Sequence, residues 1–248
     1  MTDRLERCPT GIEGLDVLIS GGFPRSRTIL VLGGCGTGKT AFGLEFVYNG
    51  ALKYNEAGIF VALEQNPKLL RMDVLGMGYD LEKVEKDGKL RIIDGSLSRR
   101  GPEAIIKSRV SPSELPTVVL PEKFKMDDVS KKILEVAKQI NAKRVVIDSI
   151  SSISEIICGG SDVRNTLLDL HYALQDAELT SIMILDTVDD ESIITKGAVE
   201  EYVADGVILL KTNEALNTRT LRIKKLRGTK HTLKPNTFEL TANGIRVG

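Results

Sequence analysis

The chain contains the run Gly33-Gly34-Cys35-Gly36-Thr37-Gly38-Lys39-Thr40, which fits the pattern G-x-x-x-x-G-K-[ST]. This run constrains the fold because its chemistry works only between a buried strand and the start of a helix. Glycines let successive backbone N–H groups curl inward around phosphate oxygens. The helix that follows directs its positive end at the same anion. Both flanks are present: Thr28-Ile29-Leu30-Val31-Leu32 is an apolar strand, and Phe42, Leu44, Phe46, Val47 and Ala51 recur at helical spacing. The segment therefore predicts a strand–loop–helix unit that binds a nucleotide through Gly34, Cys35, Gly36, Thr37, Gly38, Lys39, Thr40 and Ala41. Lys39 is expected to reach the β- and γ-phosphates, and the Thr40 hydroxyl to ligate Mg²⁺. A plain glycine-rich turn would not need those two flanks.

The remaining pattern agrees with that unit. Short β-rich runs occur at 28–32, 59–63, 90–93, 144–147, 181–185 and 206–210, and helical stretches separate several of them. Asn66-Pro67 reads as an N-cap with proline at the first helical position, opening a helix through Met72 and Leu75. Asp127 or Asp128 is expected to cap a helix bearing Val129, Ile133, Leu134, Val136 and Ile140. Asp162 is expected to cap another, with Val163, Leu167, Leu170 and Leu174 on one stripe. Strands without period-2 polarity, alternating with helices, predict an α/β fold with a mostly parallel central sheet buried on both faces. From Arg219 to Val247 the pattern changes to short alternating strands with turns at Lys234-Pro235-Asn236 and Asn243-Gly244, a small antiparallel C-terminal extension.

No composition break divides the 248 residues, so a single domain is expected: a lead-in at 1–27, a core at 28–211 and the extension at 212–248. Residues 96–126 carry four prolines and are expected to form a long surface loop. A formal net charge of zero supplies no global field toward nucleic acid or anionic membrane. Cys8, Cys35 and Cys158 lack metal-ligand spacing and suggest reduced thiols. No apolar stretch reaches the roughly 18 residues of a membrane span, and the start is no signal peptide, so the cytoplasm is the expected compartment and no membrane insertion is expected.

Ligands of open α/β sheets sit at the carboxyl ends of strands. Arg144-Val145-Val146-Ile147-Asp148 is an apolar strand ending in Asp, the form in which Asp148 holds Mg²⁺ beside a phosphate loop. Glu64 lies just beyond a second such strand, Gly58 to Leu63. Two readings stand for it: a base that takes a proton from water attacking a phosphate, or a solvated strand end. A third feature is Arg219 to Lys230, with six basic residues in twelve positions and no acid. On a strand, Lys225 and Arg227 project from one face. Such a segment is either a charged edge that resists aggregation or a cationic finger for a phosphate in a neighbouring subunit.

Taken together, these residues resemble a single-domain KaiC-like ATPase with a RecA-like P-loop NTPase core, over nearly the whole length. Pro9 to Asp16 followed by Gly21-Gly22-Phe23-Pro24 is similar to that family's opening. The phosphate loop, Phe60 to Glu64, Ile147-Asp148-Ser149 and Gly197 to Val203 follow in family order, and Lys225-Leu226-Arg227-Gly228-Thr229 with His231 resembles its most distinctive motif. The resemblance implies ATP and Mg²⁺ as ligands, Glu64 as the base, and assembly into a homo-oligomer, a hexameric ring being favoured. It implies that Lys225 and Arg227 approach the ATP of the adjacent subunit, with Thr229 and His231 near that same nucleotide. Two departures bear on activity. The family usually has two adjacent glutamates where this chain has Glu64-Gln65, which implies slow hydrolysis. Glu201 and Tyr202 occupy the positions where self-phosphorylating relatives carry Ser-Thr acceptors, so no autokinase activity is expected.

Two other classes remain at this stage. A DNA-binding recombination accessory protein would use the loops Glu155–Asp162 and Val188–Glu201. The second of these holds five acidic residues against one lysine, which opposes phosphate binding. A non-hydrolysing ATP-binding scaffold with an unknown protein partner would also fit Glu64-Gln65.

Overall fold

A computed structural model describes residues 5–96, 118–121, 124–151, 163–187 and 203–248. In chain order the elements are β1 (Arg7–Cys8), α1 (Leu15–Leu18), β2 (Phe23–Pro24), β3 (Thr28–Gly33), α2 (Lys39–Lys53), β4 (Gly58–Ala62), α3 (Pro67–Leu75), α4 (Leu81–Lys86), β5 (Leu90–Asp94) and β6 (Val118–Val119). There follow α5 (Met126–Ile140), β7 (Arg144–Asp148), α6 (Val163–Asp176), β8 (Thr180–Asp186), β9 (Gly206–Asn213), β10 (Thr218–Leu226), β11 (Asn236–Thr241) and β12 (Gly244–Val247).

Ten strands form one sheet in the order β12-β11-β10-β9-β3-β8-β7-β4-β5-β6. From β9 to β6 every pairing is parallel, and β9-β10-β11-β12 is antiparallel. The expected α/β sheet with an antiparallel C-terminal extension is therefore the observed fold. Side chains along β3 alternate between two cores, which explains its unbroken apolar sequence. Ile29 and Val31 join the core under α2, while Leu30 and Leu32 join the core under α5 and α6.

Helix α2 anchors both ends of the chain. Asn49 Nδ2 donates to Gly11 O (2.8 Å), and the buried Glu45 accepts from Ile245 N (2.7 Å) and Tyr79 OH (2.7 Å). The lead-in is packed rather than peripheral, since Cys8, Leu15, Ile19 and Phe23 are fully buried. At the amino end of β7, the fully buried Arg144 pairs with Glu56 (2.6 Å) and donates to Phe46 O (3.0 Å). Its side chain lies against Gly50, where an added Cβ would overlap it.

Two local expectations are corrected. The loop anticipated over 96–126 includes strand β6, whose two β-branched valines extend the sheet from β5, and the buried Leu120, Phe124 and Met126. Neither Asp127 nor Asp128 is the N-cap of α5. Lys125 occupies that position, and Asp128 works from inside the first turn by accepting from Lys125 N (2.8 Å). The two-residue strands β1 and β2 and the short helices α1 and α4 fell below what spacing reveals. The Asn66 cap is as expected, accepting from Lys68 N (2.8 Å). Asp162, Cys158, Gly197, Glu201, Tyr202 and the loops Glu155–Asp162 and Val188–Glu201 lie outside the described residues.

Candidate nucleotide site

Strands β3, β8, β7 and β4 are adjacent and parallel, so their carboxyl ends share one edge of the sheet. The loop after β3 runs through Gly34 to Gly38 and enters α2 at Lys39. Gly38 sits at φ +98, a left-handed turn that a residue with a Cβ resists, and this turn starts the helix with its free N–H groups facing the loop. Thr37 Oγ1 donates to Gly34 O (2.9 Å), closing the loop on itself.

A cleft of about 370 Å³ at this edge is lined by Cys35, Gly36, Gly38, Lys39, Thr40, Ala41, Glu64, Gln65, Asp148 and Asp186, with α3 forming one wall. The structure thus gathers Lys39, Thr40, Glu64 and Asp148, which are up to 109 residues apart in sequence. Thr40 Oγ1 donates to Asp148 Oδ2 at 2.7 Å. Lys39, 7% exposed, donates to Gly34 O (2.6 Å) and pairs with Asp186 Oδ1 (2.9 Å). Glu64 Oε1 accepts from Ser149 Oγ at 2.6 Å. Cys35 is exposed on the loop.

Asp186 is a residue that sequence reasoning missed. The signal was available, because the apolar run of β8 ends in Asp186 as that of β7 ends in Asp148. Three carboxylates, Glu64, Asp148 and Asp186, surround one lysine, so the cleft holds excess negative charge. Burial pushes the Asp148 carboxyl up, and the charges of Glu64 and Asp186 add to this against the Thr40 hydrogen bond and Lys39, leaving it at about 6. Burial also pushes Asp186 upward, but the Lys39 contact together with Ser149 and Ser151 outweighs it and holds Asp186 below the usual carboxylate range. A hydroxyl beside hard carboxylate oxygens suits Mg²⁺, which binds through one or two protein groups and completes its shell with water and phosphate. The donor set fits that ion.

Lys225, Arg227, Thr229 and His231 are not in this cleft. Strand β10 runs antiparallel to β9, so its last residues lie at the opposite edge: Lys225 pairs with Val207, Leu226 with Gly206, and Gly206 with Ile29 at the start of β3. Lys225 Nζ donates to Ala204 O (2.6 Å), and Arg227 NH1 pairs with the buried Asp205 (3.4 Å). Both contacts lead away from the phosphate loop. Arg7 NH1 donates to Thr229 Oγ1 (2.6 Å), and His231 Nδ1 lies 2.9 Å from Thr229 O. A bulge between Ile223 and Lys225 shifts the alternation. Without it, Lys225 would share the buried face of Leu221 and Ile223. With it, Lys225 and Arg227 stay on one common face, as expected, but the other one.

A parallel sheet with a phosphate loop after one strand and a magnesium-type aspartate two strands away defines a RecA-like P-loop NTPase core. Within that class the chain belongs to the KaiC family: the family model "ATPase: KaiC" matches residues 8–248. The circadian clock oscillator protein KaiC of Parathermosynechococcus lividus is 34% identical over 240 residues, covering 96% of this chain and 41% of that protein. The KaiC of Synechococcus elongatus is 33% identical, with 96% and 43% covered. The chain thus spans less than half the length of these curated relatives. The crystal structure of a KaiC-like protein from the hyperthermophilic archaeon Pyrococcus horikoshii is 36% identical, with a TM-score of 0.80 over 98% of this chain and 99% of that one. The KaiC-like fold and an ATP-binding domain of that family, expected from the motifs, are thereby established.

Proposed function

We propose that this chain hydrolyses ATP slowly at a seam between two copies of itself, so that nucleotide state governs assembly. The observation that carries this reading is the separation of the two halves of the site. The β3 register from Ile29 to Gly33 spans five residues, four steps or about 13 Å at strand rise, and Lys225 and Arg227 are anchored beyond its far end. They therefore serve the cleft of another copy, not their own. Contacts between unlike surfaces generate rings or filaments, and a ring of six is the favoured form.

In that site the loop amides and Lys39 grip the β- and γ-phosphates. Thr40 and Asp148 would hold Mg²⁺, which would neutralise charge on the phosphate oxygens when bound. Glu64 takes a proton from the water that attacks the γ-phosphorus, and ADP leaves with its terminal oxygen. Lys225 and Arg227 of the adjacent copy stabilise the charge that develops in the transition state, with Thr229 and His231 beside them. Gln65, in place of a second glutamate, accounts for slow turnover. With Glu201 and Tyr202 where acceptor hydroxyls would stand, the chain does not phosphorylate itself. Among the described residues no helix is long and apolar enough to cross a membrane, and the proposed site of action is the cytoplasm.

Light scattering beside a phosphate-release assay tests the reading. ATP should raise the particle mass and release phosphate at protein concentrations that favour assembly. A monomer under all nucleotide conditions, with undiminished turnover, contradicts it. Lys39→Ala should abolish ATP binding, and Glu64→Gln should spare binding while reducing turnover at least about a hundredfold.

A further inference from the structure

Asp186 and Ser149 have no part in the scheme above, yet both touch its principal residues. Lys39 Nζ is divided between Gly34 O and Asp186 Oδ1, so a carboxylate occupies the lysine where phosphate oxygens would. The other oxygen of Asp186 accepts from Ser151 Oγ (3.2 Å) and lies 3.0 Å from Ser149 Oγ, while Ser151 Oγ accepts in turn from Asp186 N (2.9 Å). This fixes the carboxylate at the strand end, although its side chain is 46% exposed.

Ser149 is 1% exposed and has a single hydroxyl hydrogen. Two carboxylate oxygens lie within reach of it, Glu64 Oε1 at 2.6 Å and Asp186 Oδ2 at 3.0 Å. Only one can receive the hydrogen at a time. With Asp186 already neutralised by Lys39, the shorter contact goes to Glu64. Withdrawal of Lys39 leaves the half-exposed Asp186 carboxylate without its cation, so the Ser149 hydroxyl beside it becomes its nearest protein donor together with Ser151.

We propose that Asp186 is a positioning residue that holds Lys39 while the site is empty and, when a nucleotide takes Lys39, draws the Ser149 hydrogen away from Glu64. Asp186 thus competes with the triphosphate for one lysine, and Ser149 lowers the cost of losing that competition. The same movement takes one donor off Glu64 Oε1 once the phosphates are in place. This inference rests on the nucleotide-site reading above.

The test is the affinity for a non-hydrolysable ATP analogue, measured without turnover. Asp186→Asn removes the competing charge at constant shape and should tighten binding about tenfold, close to 1.4 kcal/mol. Asp186→Glu keeps the charge and should stay within about threefold of the parent. Ser149→Ala should weaken binding about threefold in the parent and have no effect in the Asp186→Asn background, because the two act as a unit. Asp186→Asn binding equal to or weaker than the parent overturns the proposal, as does a Ser149→Ala effect that is the same in both backgrounds. A parent whose binding does not depend on Lys39 fails differently, since it removes the nucleotide site itself.

Discussion

Asp148 retains its proton to about pH 6 in the folded chain, whereas an unfolded aspartate releases it near 4. Between those values the folded state binds more protons than the unfolded one, so this residue lowers the stability of the empty protein as pH rises through about 4 to 6. Asp148→Asn removes that contribution. Thermal melts without nucleotide should show the variant gaining on the parent across this window and keeping the gain at neutral pH. A constant difference between the two at every pH would contradict the assignment. The same substitution should weaken Mg²⁺-dependent nucleotide binding while it stabilises the fold.

Arg144 shows an element held in place by a charge. It is the first residue of β7, fully buried, beneath the Phe46 and Tyr54 rings and paired with Glu56. Removing one partner of a buried pair costs about 3–5 kcal/mol, so Arg144→Ala should lower the melting temperature by at least about 6 °C. A shift under about 2 °C would mean that water reaches the site. Elements of this kind also show what could be read from the sequence. The strands that end in the phosphate loop, Asp148 and Glu64 were legible because continuous apolar runs betray a sheet buried on both faces. The bulge at Lys224 was not read, although the apolar alternation of Leu221 and Ile223 breaks there, with Lys225 polar and Leu226 apolar; the pairing with β9 shows that break to be a slip in register. Asp186 was overlooked because an apolar run ending in aspartate is a weak signal until its neighbour on the sheet is known. Strands β1, β2 and β6 are too short to show a period, and Lys125 has no capping side chain to announce the start of α5.

Across the whole molecule, one sheet carries complementary charge at its two ends. Glu64, Asp148 and Asp186 gather at the carboxyl ends of the parallel strands, while Lys225 and Arg227 lie near their amino ends, tied to Ala204 and Asp205. A single copy cannot bring them together, whereas head-to-tail copies can. In the proposed reading, hydrolysis is then a property of the seam. The most direct measurement mixes two variants that are each deficient, Glu64→Gln and Arg227→Ala. In a random mixture, about one seam in four joins an intact Glu64 to an intact Arg227. Each variant alone should release little phosphate, and the mixture should recover roughly a quarter of the parent rate. A mixture no more active than its components, or an Arg227→Ala protein that turns over like the parent by itself, would contradict a site shared between copies.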